Sequence, residues 1–199
     1  TGLGWANGER EKRRPMPVPK HTFDPPFNIV RCSHVALGVT DLARSRAFYA
    51  DTLGLHVEDE TEDALYLRGV EERQHHSLVL RKSAAAAAHH LGFKVGSEAD
   101  LDKAARYFEA KGLTSAFVDR PWQGRTLQAV DPFGMPVELY FSMEKRQRLL
   151  QQYAHYKGVH PQRLDHFNVF APDVQGALDF YADIGFRLTD YAEEDGPQG

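Results

Sequence analysis

His166 opens a short apolar run, His166-Phe167-Asn168-Val169-Phe170, and His34 opens a similar one, His34-Val35-Ala36-Leu37. An imidazole placed this way can ligate a divalent metal through a neutral ring nitrogen, or it can sit in the core as a hydrogen-bonded group. Asn168 lies two residues beyond His166, and residues two apart on a strand share a face, so both would point into one cavity. A carboxamide there can hold the polar atoms of a bound ligand by hydrogen bonds. Asp165 would face the opposite way and reads as structural. Residue type and spacing alone leave both readings of each histidine open.

The elements that position these residues form an internal repeat. A displacement of 132 residues lays HVALGVTDLARSRAFYAD, beginning at His34, on HFNVFAPDVQGALDFYAD, beginning at His166. Asp41 then matches Asp173, Phe48-Tyr49-Ala50-Asp51 matches Phe180-Tyr181-Ala182-Asp183, and one gap later Gly54 matches Gly185. A weaker copy over 91–113 keeps the order of strand, Asp cap, helix with paired aromatics, glycine and new strand. In the first copy a strand is expected over 34–39, with Asp41 as N-cap of a helix reaching about Thr52 and Gly54 as its stop. Strands should follow at 55–59, 64–68 and 77–82, and in the second copy at 116–119, 127–130 and 137–141, the last two joined by the turn Asp131-Pro132-Phe133-Gly134. The paired aromatics of these helices should pack on the sheet. On the strand reading, His75 and His76 alternate faces, so at most one points inward.

Each unit is therefore βαβββ, and two fill residues 31–141. The fold class expected is α+β, with repeated βαβββ units forming partly open barrels. A connecting helix is expected over 143–156, then a third unit with a strand at 164–170, a helix at 173–184 and a new strand from Phe186. A unit stopping there would leave an unpaired sheet edge, so the sequence reads as truncated. The domain organisation expected is an extended arm (1–27), an N-terminal two-unit domain (28–142), a connecting helix (143–160) and the start of a C-terminal catalytic domain (161–199).

The composition is that of a soluble globular protein, with 42% hydrophobic and 26% charged residues. A formal net charge of −4 offers no phosphate-neutralising excess, so no nucleic-acid partner is expected. No run approaches the ~20 apolar residues of a membrane span, and no apolar signal segment stands at the N-terminus. Cys32 is the only cysteine, which fits a small buried hydrophobe in a reducing cytoplasm. Residues 1–27, rich in proline with basic charge in Arg10 to Arg14, cannot build a core of their own.

Paired βαβββ units resemble the vicinal oxygen chelate superfamily. The run Arg163-Leu164-Asp165-His166-Phe167-Asn168, followed by Ala171-Pro172-Asp173-Val174, resembles the first metal-ligand strand of type I extradiol ring-cleaving dioxygenases, closest to those acting on homoprotocatechuate (3,4-dihydroxyphenylacetate). Further likeness lies in Val39-Thr40-Asp41-Leu42, Ala64-Leu65-Tyr66-Leu67-Arg68, His75-His76-Ser77-Leu78 and Asp131-Pro132-Phe133-Gly134. The resemblance implies iron(II), or manganese(II), held by two His and one Glu, with open positions for a catechol and dioxygen. It makes His166 the first metal ligand and Asn168 a catalytic residue that hydrogen-bonds substrate oxygens. It also implies a small aromatic diol and dioxygen as substrates, and a homo-oligomer, a tetramer by family habit.

In the N-terminal half the corresponding triad positions are His34, His90 and Glu138. Their spacings of 56 and 104 residues carry the other two partners of His166 to about 222 and about 270, beyond residue 199. The duplicated half is expected to be vestigial: three residues converging on one side of the barrel without a catalytic metal. The alternatives are a glyoxalase-like isomerase or lyase, or a non-catalytic binding module of the same fold. Metal content separates them, since ring cleavage needs a redox-active ion.

Overall fold

The computed structural model describes residues 17–192. The basic run Arg10 to Arg14, and with it most of the expected arm, lies outside them. The chain forms one eight-stranded mixed sheet in the order β2-β3-β4-β1-β5-β8-β7-β6. The strands are β1 Ile29–Val39, β2 His56–Glu60, β3 Ala64–Arg68, β4 Leu78–Lys82, β5 Ala87–Val95, β6 Ser115–Val118, β7 Thr126–Val130 and β8 Pro136–Tyr140. Helix α1 (Leu42–Arg46) continues as a π-helical stretch (Ala47–Thr52); α2 is Glu98–Ala110 and α3 is Val174–Asp183. The two expected βαβββ units are thus present, joined where β1 pairs antiparallel with β5.

Local chemistry accounts for the helix ends. Asp41 accepts from Arg44 N at 2.8 Å and Asp173 from Gly176 N at 2.9 Å, so both copies use the same N-cap. Gly54 and Gly185 both take positive φ, +85° and +97°, a conformation that only glycine adopts without strain. In the middle copy the cap is Ser97 rather than an aspartate. Asp100, three residues on, is buried and accepts from Ser97 Oγ at 2.7 Å.

Strand alternation divides the sheet into two faces. Leu65, Leu67, Leu78 and Leu80 pack with Val35 and Leu37 on the face carrying α1. Leu91, Phe93, Leu127, Val137 and Leu139 pack with Leu101 and Phe108 of α2, and with Phe180 and Ile184 at α3. Phe27 is fully buried in that cluster, so the last part of the 1–27 segment belongs to the core. Tyr49, Tyr107, Phe108 and Phe180 pack as expected, whereas Phe48 is 51% exposed. The opposite face carries His34, Tyr66, Arg81, His90 and Glu138. β3 and β8 stand four strand spacings apart, roughly 19 Å in a flat sheet. Tyr66 and Glu138 nevertheless line one small cavity, so the sheet curls around its polar face.

Three expected elements are absent. Residues 143–156 hold no long helix, only a 3₁₀ turn at Tyr153–His155. The backbone there is bound to the 70–74 loop instead: Arg146 N donates to Arg73 O and Leu149 N to Val70 O, both at 2.7 Å. Arg146 also reaches Glu58 at 2.8 Å, so its charge serves a distant partner rather than a helix face. Residues 164–170 and the segment from Phe186 are not in strands, because among the described residues no neighbour offers them a ladder. They are held by side chains, Phe167 and Phe186 each packing edge-on to Phe93. Among the described residues no helix is long and apolar enough to cross a membrane.

Candidate metal centre

Three adjacent strands build the centre. His34 on β1 is in register with Gly92 on β5, and Gly92 with Glu138 on β8. His90 precedes Gly92 by two residues and so shares its face. The row requires glycine at position 92, because a Cβ there would fall within the His34 ring. His90 Nε2 lies 3.3 Å and His34 Nε2 3.8 Å from Glu138 Oε2. Among the described residues these three form the group whose potential ligand atoms converge, all within 4.8 Å of one another. The convergence read from the repeat is therefore present, and all three residues are buried.

The carboxylate is oriented from behind. Glu138 Oε1 accepts from Arg120 Nε at 2.6 Å, and the same guanidinium reaches Gln128 Oε1 at 3.4 Å. Gln128 is paired with Glu138 across β7 and β8, so the ladder positions both acceptors for Arg120. Oε2 is left facing the imidazoles. Neither Oε2 nor either ring nitrogen of His34 has a hydrogen-bond partner, although all are buried. A buried unpaired polar atom costs about 1–3 kcal/mol, so His34 Nε2 and Glu138 Oε2 facing each other across 3.8 Å favour an occupant. With Tyr66, His76 and Arg81 they line a cavity of about 10 Å³, space for a single atom or water.

Burial pushes the His90 imidazole down to about 3, outweighing the pull of Glu138, so it is neutral at physiological pH. Burial alone would raise the Glu138 carboxyl, but His34, His90 and Arg120 together hold it down to about 2. The centre thus offers an ionised carboxylate beside a neutral imidazole and a second histidine. That is the nitrogen and oxygen donor set of two-histidine, one-carboxylate metal sites.

His75 and His76 do not alternate faces, because the chain bends there rather than running as a strand. Both are buried, with their Nδ1 atoms 3.1 Å apart. His76 meets the His34 ring edge-on, and His75 stacks on Trp122 at 4.3 Å. The repeat did not foresee Arg120, Gly92 or His76. A buried glutamate does imply a cationic partner, but not which one.

His166 and Asn168 stand apart from this cluster and are exposed. His166 Nδ1 lies 3.3 Å from Asp165 Oδ2, so Asp165 turns toward the imidazole instead of away from it.

A sequence profile of the Glyoxalase/Bleomycin resistance protein/Dioxygenase superfamily matches residues 31–139. The chain is 27% identical over 175 residues to a manganese-dependent 2,3-dihydroxybiphenyl 1,2-dioxygenase of Geobacillus genomosp. 3, covering 82% of this chain and 56% of that protein. Among solved structures it resembles homoprotocatechuate 2,3-dioxygenase from Arthrobacter globiformis with a TM-score of 0.80 at 39% identity, covering 87% of this chain and 54% of the other. The Brevibacterium fuscum homoprotocatechuate 2,3-dioxygenase in complex with 3,4-dihydroxyphenylacetate gives a TM-score of 0.80 at 40% identity, over 88% and 55% of the two chains. The chain spans about half the length of these relatives.

Proposed function

Since the chain belongs to the Glyoxalase/Bleomycin resistance protein/Dioxygenase superfamily, we propose that it serves extradiol cleavage of a catechol by dioxygen, with 3,4-dihydroxyphenylacetate as substrate and a ring-opened semialdehyde as product. One observation carries the reading. The run Arg163-Leu164-Asp165-His166-Phe167-Asn168 follows the eight-stranded sheet in a chain 39% identical to a homoprotocatechuate 2,3-dioxygenase over 87% of its length.

In this reading His166 holds iron(II) or manganese(II); the Geobacillus relative is named for manganese. The bound ion supplies the redox link between the catechol and dioxygen. Asp165, against His166 Nδ1, fixes the tautomer and leaves Nε2 as the donor. Asn168 positions the substrate oxygens by hydrogen bonding. Residues 161–199 serve as the start of the catalytic domain, 28–142 as its paired structural domain, and the working assembly is a homo-oligomer.

The test uses full-length protein loaded with iron(II) or manganese(II). His166→Ala should abolish turnover and empty the ring-cleavage site of its iron(II) or manganese(II), because an open three-ligand site cannot spare a donor. Asn168→Ala should keep the metal yet slow ring opening on the order of tenfold to a hundredfold, a loss of positioning alone. Turnover of 3,4-dihydroxyphenylacetate undiminished in His166→Ala would refute the assignment.

A further inference from the structure

We propose that His34, His90 and Glu138 hold one divalent cation as a structural centre, separate from the ring-cleavage metal assigned to His166. The chemistry is that of a borderline ion such as zinc(II), which accepts imidazole and carboxylate together.

The first support is the set of unpaired atoms. His34 Nδ1, His34 Nε2 and Glu138 Oε2 are buried without partners, and a cation between the rings and the carboxylate satisfies Nε2 and Oε2 at once. The second is spacing. Donors bound at ~2.0–2.2 Å to one ion lie about 3.0–3.5 Å apart. The His90 to Glu138 separation of 3.3 Å already fits, and the His34 to Glu138 separation of 3.8 Å needs only a slight closing. Third, the ligands have outer support: Arg120 holds Oε1 at 2.6 Å and aims Oε2 at the cavity, as second-sphere groups do around a metal. Gly92 completes the cradle by leaving room for the His34 ring.

The size of the cavity decides the role. About 10 Å³ admits an ion and excludes a six-membered ring, so the centre binds no catechol. Its position supplies a function instead. β1 and β5 form the seam between the two βαβββ units, and β8 flanks it, so one ion on His34, His90 and Glu138 fastens three strands across that seam. Arg81 also borders the cavity and Arg120 is bound to the carboxylate, so a bare dication meets two positive charges. Both imidazoles and the full carboxylate are needed against them. The competing occupant is a single water.

The experiment is metal titration of the apo protein with zinc(II), and with cobalt(II) as a coloured substitute, on a His166→Ala background that removes the other donor. After desalting, that variant should retain one equivalent of metal, show the visible absorption of histidine-ligated cobalt, and unfold at a higher temperature with zinc than without. Adding Glu138→Gln or His90→Ala should remove the retained equivalent, the absorption and the thermal shift. Glu138→Gln keeps the shape of the side chain and an oxygen for Arg120, so the comparison stands even where His90→Ala fails to fold. Retention unchanged by Glu138→Gln, or no retained equivalent in a folded His166→Ala protein, would overturn the proposal. Neither result bears on the role of His166, which is read from turnover.

Discussion

At position 92 the lack of a side chain is what lets His34 lie across the sheet. Any larger residue must displace the ring or the strand. Gly92→Ala should therefore destabilise the protein by about 1–3 kcal/mol, the usual cost of forcing a methyl into a filled site. Urea unfolding would check it, and a variant as stable as wild type would contradict the close approach. Arg120 makes the complementary point. It neutralises a fully buried carboxylate that would otherwise be costly to keep ionised, and it fixes which oxygen faces the histidines.

At the level of elements, the same capping chemistry recurs in distant places. Asp41 and Asp173 each close the first turn of a helix by accepting a backbone N–H, and the glycine that follows each helix turns the chain away. Asp173→Ala should cost about 1 kcal/mol, because the first-turn N–H groups of α3 lose their acceptor. Thermal unfolding of the variant, with loss of the α3 contribution to helical circular dichroism, measures it; Asp173→Asn should keep most of the stability. The segment over 143–150 shows the converse. Its spacing of charge and leucine is helical, yet its N–H groups find carbonyls in the 70–74 loop, and Arg146 finds Glu58 eighty-eight residues away.

Taken whole, the molecule is a curled sheet with an apolar outer face under helices and a polar inner face closed on itself. Enclosing histidines has a pH consequence. Burial first, then Arg146, lowers the pKa of His75, against the opposite pull of Glu58, Glu144 and Asp59; its ring also faces His76, Tyr66 and Trp122. The unfolded imidazole takes up its proton near its ordinary value of about 6.5, and the folded one only at lower pH. Below about 6.5 the unfolded state thus binds more protons, and stability falls as the pH drops; above it this contribution is fully present. Urea midpoints should decline between about pH 7 and pH 5, and His75→Phe, which preserves stacking on Trp122, should decline less. Equal slopes would show that His75 is not part of the acid sensitivity.

Periodicity and type, read along the chain, determined the βαβββ repeat, the Asp41 and Asp173 caps and the glycine stops, whereas the convergence of His34, His90 and Glu138 was implied by the family resemblance carried through that repeat. The repeat, the caps and the stops follow from local rules: strand alternation, N–H groups needing acceptors, and positive φ. Other features depended on segments that meet only in the folded state. They include the choice of Arg120 for Glu138, the need for glycine beside His34, the inward turn of both His75 and His76, and the extended path after residue 142. A strand over 164–170 requires a partner, and pairing is a relation between two segments rather than a property of one. The sequence therefore specified which groups could meet, and the curl of the sheet decided which of them do.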